Sequence, residues 1–565
     1  MQPGPTLLNQ GPLDERQLQL AREALRAGGR LDGIAGQLGF AGEDEALQSI
    51  AQALGLEYVD LSTTTIDLSL LKDFPSRIIH RYAVFPIRRE EGSLVVATGD
   101  PFDLHALDAV SAATGLSVVP ILAVPTELAK LIKTHLGVGS ETIDGLLAQR
   151  EEQQRGVEVL DELDWDRSEA SEMAQEASVV RLVNEILGEA VEARASDIHI
   201  EAQAAGLKTR YRIDGVLQTQ PMPPEINHFQ AAIISRLKIM ARLNIAEKRV
   251  PQDGRIKLKV SGREIDIRVS IIPMLHGEGV VMRVLDKDRM QFSLRGIGMD
   301  QDIYERFGQL IKLPHGILLV TGPTGSGKTT TLYSALSEIR DDETKIITTE
   351  DPVEYQLEGI NQIQVNTKVG LTFAASLRGI LRHDPDVILV GEIRDLETAE
   401  NAIQASLTGH MVFSTLHTND AAGAYMRLVD MGVEPFLVSS TVEGVLAQRL
   451  MRTLCAECRE PFTPDVGEVP ADFPIDRCGE NSEPLFRSVG CRRCRGTGYS
   501  GRLGLYELLI SNDEIRHLAS ERAGANVVKQ AAVRAGMRTL RQDGWLKALR
   551  GQTTIDEVMR VTKAD

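Results

Sequence analysis

The sequence of 565 residues has no long run of apolar residues. A helix that crosses a bilayer needs about 18 to 20 consecutive apolar residues, and no stretch approaches that length. Residues 1–12 are polar with Gly and Pro, and they lack the basic-then-apolar pattern of an export signal. We therefore expect a soluble protein that is made and kept in the cytoplasm.

Cysteine, aromatic residues and positive charge are also scarce. Five cysteines in so long a chain argue against the disulfide framework typical of small secreted domains. Aromatic residues make up 4% of the chain, and the formal net charge is -18. A nucleic-acid-binding surface spread over the whole protein needs clustered Lys and Arg, so the negative charge argues against such a surface and leaves a local basic patch as the alternative.

The length predicts three or four domains, because domains usually contain about 100–200 residues. Between Glu141 and Glu176, twelve acidic residues stand against three arginines. Such a segment buries too little apolar surface to fold, so we expect a flexible linker at 139–176, with an acidic docking segment as the alternative. The other expected parts are a mixed N-terminal domain at 1–138, a second α/β domain at 177–290, a nucleotide-binding core at 291–454, a four-cysteine module at 455–498 and a mostly helical region at 499–565.

The core from about residue 291 repeats a pattern of strand, glycine loop and helix. Its apolar runs at 317–320, 345–348 and 387–390 suit a parallel sheet covered on both faces. The preceding domain shows one helical pattern and three strand-like patterns. The chain is therefore predicted to be an α/β protein.

A phosphate-binding loop follows the first apolar run. Its signature is G-P-T-G-S-G-K-T, between a strand and a helix. Glycines let backbone N–H groups turn inward around phosphates, Lys328 brings a positive charge to the β- and γ-phosphates, and the Thr329 hydroxyl can ligate Mg²⁺. The sequence thus predicts a site for ATP and Mg²⁺. The residues expected to form it are Gly322, Pro323, Thr324, Gly325, Ser326, Gly327, Lys328, Thr329 and Thr330.

Acidic side chains follow the other two apolar runs. Glu392 comes just after a buried strand, where nucleotide-binding sheets hold an acid that binds magnesium or activates water. Glu350, Asp351 and Glu354 follow the other strand, and carboxylates there are suited to polarising an attacking water. A charged turn closed by Pro352 is the alternative for this second group.

Two histidines bracket a short apolar strand near the end of the core. His417, with hydroxyl residues beside it, is a candidate sensor of the γ-phosphate. His410 is a candidate at the other end of the strand. A structural role is the alternative, above all for His410.

Three arginines of the second domain lie on strand-like segments: Arg255, Arg268 and Arg283. An arginine delivered across a domain interface can neutralise charge in the transition state of phosphoryl transfer, with an effect of about 10³–10⁵ on the rate. The alternative is that these are exposed strand arginines paired with acids such as Asp266.

Four of the five cysteines form two C-x-x-C pairs: Cys455 with Cys458, and Cys491 with Cys494. Two such pairs can close a tetrahedral zinc site. Because protein ligands fill all four positions, the zinc is expected to be structural. Cys478 lies between the pairs and is expected to remain unligated.

Taken together, these motifs resemble the secretion ATPase superfamily. Besides the phosphate loop and the cysteines, the resemblance is carried by A-S-D-I-H-I-E at 195–201, Q-D-G-R at 252–255, I-I-T-T-E-D-P-V-E at 346–354, V-G-E-I-R-D at 390–395 and T-G-H-M-V-F-S-T-L-H-T-N at 408–419. Within the superfamily, G-V-L-A-Q-R-L at 444–450 and E-V-M-R-V-T at 557–562 look most like the type II secretion ATPases. The type IV pilus assembly ATPases are near relatives.

The resemblance implies a homo-hexameric motor with a RecA-like P-loop core and a preceding smaller, PAS-like α/β domain, with ATP between them. It gives Glu392 the Walker B role. The other roles it implies are an acidic box of Glu350 and Glu354, a histidine box of His410 and His417, and nucleotide-facing positions for Arg255, Arg268 and Arg283.

The resemblance also implies a biological role and partners. The motor would couple ATP hydrolysis to pseudopilus assembly and to the export of folded proteins across the outer membrane. It would dock, through its N-terminal domain, on an inner-membrane anchor protein (GspL-like) and would engage a polytopic platform protein (GspF-like), without nucleic acid. These partners would hold it at the inner membrane from the cytoplasmic side.

Other functions remain open at this point. A type IV pilus assembly ATPase is the main alternative. The four-cysteine module and the long N-terminal region argue against a pilus retraction motor, and the acidic composition argues against a RecA-like nucleic-acid translocase. A nucleotide-gated scaffold without turnover conflicts with the presence of Lys328, Glu350 and Glu392.

Overall fold

The structure is a computed structural model, and its described residues are 13, 15–26, 35, 40, 42–61, 64–72, 74–90, 92–136, 177–286, 292–464, 467, 469–475 and 484–563. The chain divides into two compact units, residues 1–285 and 286–565, and each is described by itself. No helix in the described ranges is long and apolar enough to cross a membrane. The acidic segment at 139–176 and Cys478 lie outside the described residues.

The first part of the first unit is a small four-stranded sheet with helices. The elements are α1 (Glu15–Arg26), α2 (Glu43–Leu54), β1 (Glu57–Tyr58), α3 (Ser76–Tyr82), β2 (Val84–Glu90), β3 (Ser93–Thr98), α4 (Leu104–Thr114), β4 (Ser117–Leu122) and α5 (Pro125–Leu136). The strand order is β1-β4-β3-β2, with β2 antiparallel to β3 and the other pairs parallel. Residues 94–97 of β3 are all buried, as expected of an inner strand covered on both faces.

The rest of the first unit is a six-stranded sheet with two long helices. The elements are α6 (Ala177–Glu192), β5 (Ala195–Gln203), β6 (Gly206–Ile213), β7 (Val216–Thr219), α7 (Gln230–Ala241), β8 (Gln252–Val260), β9 (Arg263–Met274) and β10 (Gly277–Asp286). The order is β7-β6-β5-β10-β9-β8. On β9, the alternating residues Ile265, Ile267, Val269 and Ile271 are buried in one core with residues of α6 and α7. This burial explains the alternation in the sequence.

The second unit is built on a seven-stranded sheet. Its first elements are α8 (Gln301–Leu310), β11 (Gly316–Thr321), α9 (Lys328–Ile339), β12 (Ile346–Glu350), β13 (Asn361–Gln364), α10 (Phe373–Ile380), β14 (Val387–Val390), α11 (Leu396–Leu407), β15 (Met411–Leu416), α12 (Gly423–Asp430), α13 (Pro435–Thr441) and β16 (Val442–Leu454). These strands are parallel in the order β13-β12-β14-β15-β11-β16. Every residue of β11, β12, β14 and β15 is buried, as predicted for a sheet covered on both faces.

The remainder of the second unit forms a short ribbon, one more strand and four helices. The elements are β17 (Arg459–Phe462), β18 (Leu485–Ser488), β19 (Tyr499–Ile510), α14 (Asp513–Ser520), α15 (Ala525–Arg534), α16 (Leu540–Leu549) and α17 (Ile555–Val561). Strand β19 pairs antiparallel with β16 and completes the main sheet. The sequence analysis predicted a mostly helical region here and missed this strand. Residues 504–509 are buried without interruption, so the strand shows no alternation that would reveal it.

Candidate nucleotide-binding site

The predicted phosphate loop is a glycine-rich turn between β11 and α9. Gly322, Gly325 and Gly327 have φ values of 147°, 79° and 90°, which other residues rarely adopt. A Cβ on Gly327 would lie 2.8 Å from Nε2 of Gln448, and one on Gly322 would overlap the Gln448 carbonyl oxygen. The backbone of the loop therefore depends on glycine. Helix α9 begins at Lys328, so its positive end faces the loop and favours an anion there.

The Lys328 ammonium group lies against the loop. Its Nζ donates hydrogen bonds to the carbonyl oxygens of Gly322 at 2.8 Å and Pro323 at 3.0 Å. Burial lowers the pKa of Lys328, while Glu392 opposes this shift and Arg449 adds to it. The loop thus keeps a partly buried positive charge beside its inward-turned backbone.

Strand β16 brings Gln448 and Arg449 to the same loop. The buried Gln448 Oε1 accepts a hydrogen bond from the Thr331 hydroxyl at 2.7 Å. The Arg449 guanidinium donates to the backbone carbonyl of Asn419 at 3.4 Å and to its side-chain oxygen at 3.2 Å, and burial lowers its pKa. The loop therefore rests on a second strand as well as on β11.

Glu350 and Glu392 lie at the same edge of the sheet as the loop. In the neighbouring parallel strands β12 and β14, Thr349 is paired with Val390. The N–H of Gly391 donates to the Thr349 carbonyl at 2.8 Å, which holds the two strand ends together. Glu350 is the last residue of β12 and Glu392 comes two residues after β14, so both lie at the carboxyl ends of parallel strands, where open α/β sheets bind their ligands.

Glu350 is a buried carboxylate surrounded by hydrogen-bond donors. Its Oε1 accepts from the Thr348 hydroxyl at 2.5 Å and from Gln362 Nε2 at 3.1 Å, and its Oε2 accepts from the Tyr333 hydroxyl. Burial, and then the charge of Glu350, raise the pKa of Tyr333, so the phenol remains a donor. Glu354 is half-buried in the loop that follows β12.

Glu392 joins the histidine at the end of β15. Its side chain is mostly buried and forms an ion pair with Arg394 through Oε1. Its Oε2 lies 3.5 Å from Nε2 of His417. Since Glu392 also influences the pKa of Lys328, the structure brings Lys328, Glu392 and His417 together at one edge.

His410 lies at the opposite end of β15. The backbone N–H of Gly316, at the start of β11, donates to the His410 carbonyl at 3.3 Å. His410 Nδ1 lies 2.9 Å from the Ala405 carbonyl and 3.1 Å from the Thr408 hydroxyl. At about 3.3 Å per residue, the six residues of β15 put roughly 20 Å between His410 and the loop edge. The structure therefore does not bring His410 to the phosphate loop of its own unit.

The three predicted arginines lie in the first unit. Arg255 on β8 faces Arg268 on β9 and forms a two-point ion pair with the buried Asp266. Arg283 on β10 is half-exposed, and its Nε lies 3.3 Å from Oδ1 of Asp197. Arg255 thus has the acidic partner that the sequence analysis named as the alternative. A position at the nucleotide stays a prediction for all three.

The four cysteines of the two C-x-x-C pairs form one cluster. All four sulfur atoms lie within 4.8 Å of one another. The Cys455–Cys491 sulfur distance is 3.8 Å, and the Cys458–Cys494 and Cys491–Cys494 distances are 3.7 Å. A tetrahedral zinc with Zn–S bonds of about 2.3 Å requires sulfurs about 3.8 Å apart. The set therefore fits a tetrahedral metal site.

Two backbone N–H groups lie close to one of these sulfur atoms, Cys494 Sγ, and favour its thiolate form. The N–H groups of Cys491 and Gly498 lie 3.1 Å and 3.2 Å from Cys494 Sγ. Burial disfavours the thiolate, but these N–H groups and the neighbouring thiols lower the pKa of Cys494 to about 7. Burial raises the pKa of Cys458 to about 12. The backbone N–H groups around Cys494 thus favour its thiolate, which is the form of cysteine that binds a metal.

Comparison with known proteins shows the family to which the chain belongs. Residues 172–560 match the protein family described as "Type II/IV secretion system protein", and residues 54–142 match the MshEN domain. The chain belongs to the type II/IV secretion ATPase family. The match includes the phosphate loop, the six-stranded sheet and the cysteine cluster, so the predicted resemblance and the α/β secretion ATPase fold are confirmed. ATP hydrolysis is the activity expected of such an ATPase.

Relatives of this secretion ATPase match along its whole length. The type II secretion system protein E of Xanthomonas campestris pv. campestris is 44% identical over 562 residues, which are 99% of this chain and 97% of that protein. The type IV pilus assembly ATPase PilB of Myxococcus xanthus is 41% identical over 567 residues, which are 100% of this chain and 99% of that protein. Among solved structures, the pilus retraction motor PilT with bound ADP is 28% identical, with 68% of this chain and 97% of that chain covered and a TM-score of 0.46.

The residues of the ATPase site fit ATP with Mg²⁺. Ser326 Oγ is buried in the loop and has no hydrogen-bond partner within the described parts of the chain, so it is available to a phosphate oxygen. Lys328 supplies the positive charge, and the Thr329 side chain is exposed at the start of α9, where a Mg²⁺ ligand is needed.

Three side chains that contact the candidate site were not selected from the sequence. Gln448 and Arg449 lie in the motif at 444–450, which was used only for the resemblance, so a signal for them was present. Tyr333 lies inside a helix and gave no signal, because its partner Glu350 becomes visible only in the fold.

Proposed function

We propose that this secretion ATPase is the motor of a type II secretion system, where ATP hydrolysis drives assembly of a pseudopilus and export of folded proteins across the outer membrane. The observation that carries the proposal is the 44% identity with a type II secretion system protein E. It supports the proposal strongly because it covers 99% of this chain and 97% of that relative, N-terminal parts included.

The proposed reaction uses the edge of the sheet that carries the phosphate loop. Loop N–H groups and Lys328 bind the β- and γ-phosphates of ATP. Mg²⁺, when held at the Thr329 hydroxyl, neutralises the charge of the phosphate oxygens. Glu392 acts as the Walker B acid, and His417, 3.5 Å from it, senses the γ-phosphate. Glu350 polarises the attacking water.

The remaining predicted residues enter the proposal through the resemblance. Glu354 shares the acidic-box role with Glu350, the last residue of β12. Arg255, Arg268 and Arg283 face the nucleotide and neutralise charge as it develops. His410 completes the histidine box, although its contacts in this unit are those of a helix–strand junction.

The proposal extends to metal, assembly and partners. The four thiols hold Zn²⁺ in a structural role, because the protein supplies all four ligands. The working form is a homo-hexamer on the cytoplasmic side of the inner membrane. Its N-terminal domain docks on an anchor protein of the GspL type, and a polytopic platform protein of the GspF type receives the motion.

A type IV pilus assembly ATPase is the second candidate. The observation in its favour is the 41% identity with a PilB protein across 100% of this chain. The two candidates differ in what a cell loses without the gene.

Gene deletion in the source bacterium tests both candidates. We expect loss of exoprotein release with twitching motility intact, restored by the wild-type gene and not by a Lys328→Ala gene. Loss of motility with normal exoprotein release would contradict type II secretion and support pilus assembly.

A further inference from the structure

The Glu350 carboxylate is held by donors from three different elements. Thr348 on β12 and Gln362 on β13 both donate to Oε1. The Tyr333 hydroxyl on α9 donates to Oε2, and within the described residues it is the hydrogen-bond donor to that oxygen. With Oε1 held by two donors, the bond to Oε2 fixes the rotation of the carboxylate plane.

The Tyr333 ring is itself fixed by two aromatic neighbours. Phe292 packs edge-on against it, with ring centres 5.3 Å apart and planes at 71°. Tyr355 does the same at 6.5 Å and 82°, and Phe292 and Tyr355 contact each other at 5.7 Å. Edge-to-face contacts of this kind favour one ring orientation. Tyr333 is also fully buried, and the backbone N–H groups of Tyr355 and Glu354 face its hydroxyl oxygen, which leaves the hydroxyl proton for the carboxylate.

We propose that Tyr333 is a positioning residue for hydrolysis, whose hydroxyl aims the Glu350 carboxylate at the attacking water. This inference rests on the proposed role of Glu350. The Tyr333 hydroxyl remains a hydrogen-bond donor, because burial and the neighbouring carboxylate raise its pKa and keep the phenol protonated. The phosphate loop leads into α9 at Lys328, and Tyr333 is the sixth residue of that helix, so the helix that follows the loop also orients the acid.

A substitution can separate the packing of the Tyr333 ring from the hydrogen bond that its hydroxyl donates to Glu350. Tyr333→Phe keeps the ring and its contacts with Phe292 and Tyr355 but removes the donor to Oε2, together with the oxygen that faces the backbone N–H groups of Tyr355 and Glu354. A purely structural tyrosine would tolerate the loss of its hydroxyl in catalysis. A positioning tyrosine would lose turnover while nucleotide binding remained, because no atom of Tyr333 belongs to the phosphate loop.

The experiment uses the purified full-length protein and measures kcat and KM for ATP hydrolysis and the Kd of ADP. The matched control is Tyr304→Phe, which removes a hydroxyl that donates to the exposed carboxylate of Glu338 at 2.8 Å. We expect Tyr333→Phe to lower kcat by about 10-fold to 100-fold, because an error of about 1 Å in catalytic geometry has an effect of about 10²-fold. KM, the Kd of ADP and every parameter of Tyr304→Phe should stay within about twofold of wild type.

Glu350→Gln separates failure of this inference from failure of the role proposed for Glu350. Wild-type kcat in Tyr333→Phe, with Glu350→Gln inactive, would overturn the inference alone. Wild-type kcat in Glu350→Gln would remove Glu350 from the reaction and overturn the inference together with that role, while the secretion function would still be decided by the gene deletion. If Tyr333→Phe does not fold, Phe292→Leu loosens the ring and leaves the hydroxyl, and it should lower kcat by about threefold to tenfold at unchanged KM. Wild-type kcat in Phe292→Leu would then overturn the inference.

Discussion

Two glycines of the phosphate loop provide a matched test of how the loop is shaped. Gly322 and Gly325 both have positive φ, at 147° and 79°, so an alanine at either position is strained. Strain of this kind costs about 1–3 kcal/mol. The two positions differ in their surroundings. A Cβ on Gly322 would lie closer than 3.0 Å to the carbonyl oxygen of Gln448, whereas a Cβ on Gly325 meets no atom within 4 Å.

The conflict at Gly322 must be relieved by movement of the loop. The opposing atom belongs to the backbone of β16, which is paired on both sides within the sheet and cannot move cheaply. Ordinary contact begins at 3.4 Å, so the loop must shift by roughly 1 Å. A shift of that size has an effect of about 10²-fold on the rate. We expect Gly322→Ala to lower kcat/KM for ATP by about 10²-fold or more, and Gly325→Ala by less than about tenfold.

The assay is steady-state ATP hydrolysis by the two purified full-length variants, with the Kd of ADP measured alongside. Thermal unfolding serves as the control and shows that both variants are folded; the midpoint should fall further in Gly322→Ala, because the clash with β16 adds to the backbone strain. Equal losses of kcat/KM in Gly322→Ala and Gly325→Ala would refute the reasoning, since they would show that contact with β16 does not shape the loop.

Three further predictions concern the charge of the loop, the metal site and the C-terminal helices. Lys328→Ala should abolish phosphate release from ATP, because it removes the ammonium group from the loop; unchanged turnover would refute the site. Metal analysis should find about one zinc per chain, lost in Cys491→Ser; a folded, zinc-free wild type would refute the cluster. Asp543→Ala should lower the free energy of unfolding in urea by about 3–5 kcal/mol, because it leaves Lys547 buried without the carboxylate 2.8 Å away. Glu514→Ala, in an exposed ion pair, should lower it by less than about 1 kcal/mol, and equal effects would contradict the burial argument.

Sequence reasoning reached the parts of the site that are contiguous in the chain. The phosphate loop is one segment whose glycines, Lys328 and Thr329 carry their chemistry in their order, so the pattern alone predicts the site. Glu392 was found for a related reason, since a buried strand followed by an acid places that acid at a sheet edge. The cysteine pairs were likewise recognisable from local spacing, and the fold needed only to bring two pairs together.

The missed residues depend on which elements become neighbours. Gln448 meets Thr331 because β16 lies beside β11, and Tyr333 meets Glu350 because α9 and β12 contribute to the same core. Apolar periodicity records which face of an element is buried, and it does not record the partner that buries it. Strand β19 was missed for a different reason, because burial on both faces removes the alternation that marks a strand.

The direction of β15 separates two histidines that look equivalent in the sequence. His417 follows the carboxyl end of the strand, at the edge where β11 leads into the phosphate loop, and it stands 3.5 Å from Glu392. His410 precedes the amino end, roughly 20 Å away along the strand. Its Nδ1 lies 2.9 Å from the carbonyl oxygen of Ala405, in the last turn of α11. A side chain at that edge cannot touch a phosphate bound in its own loop. A role for His410 in hydrolysis therefore requires transmission along β15 or contact with another copy of the chain, whereas His417 can act directly.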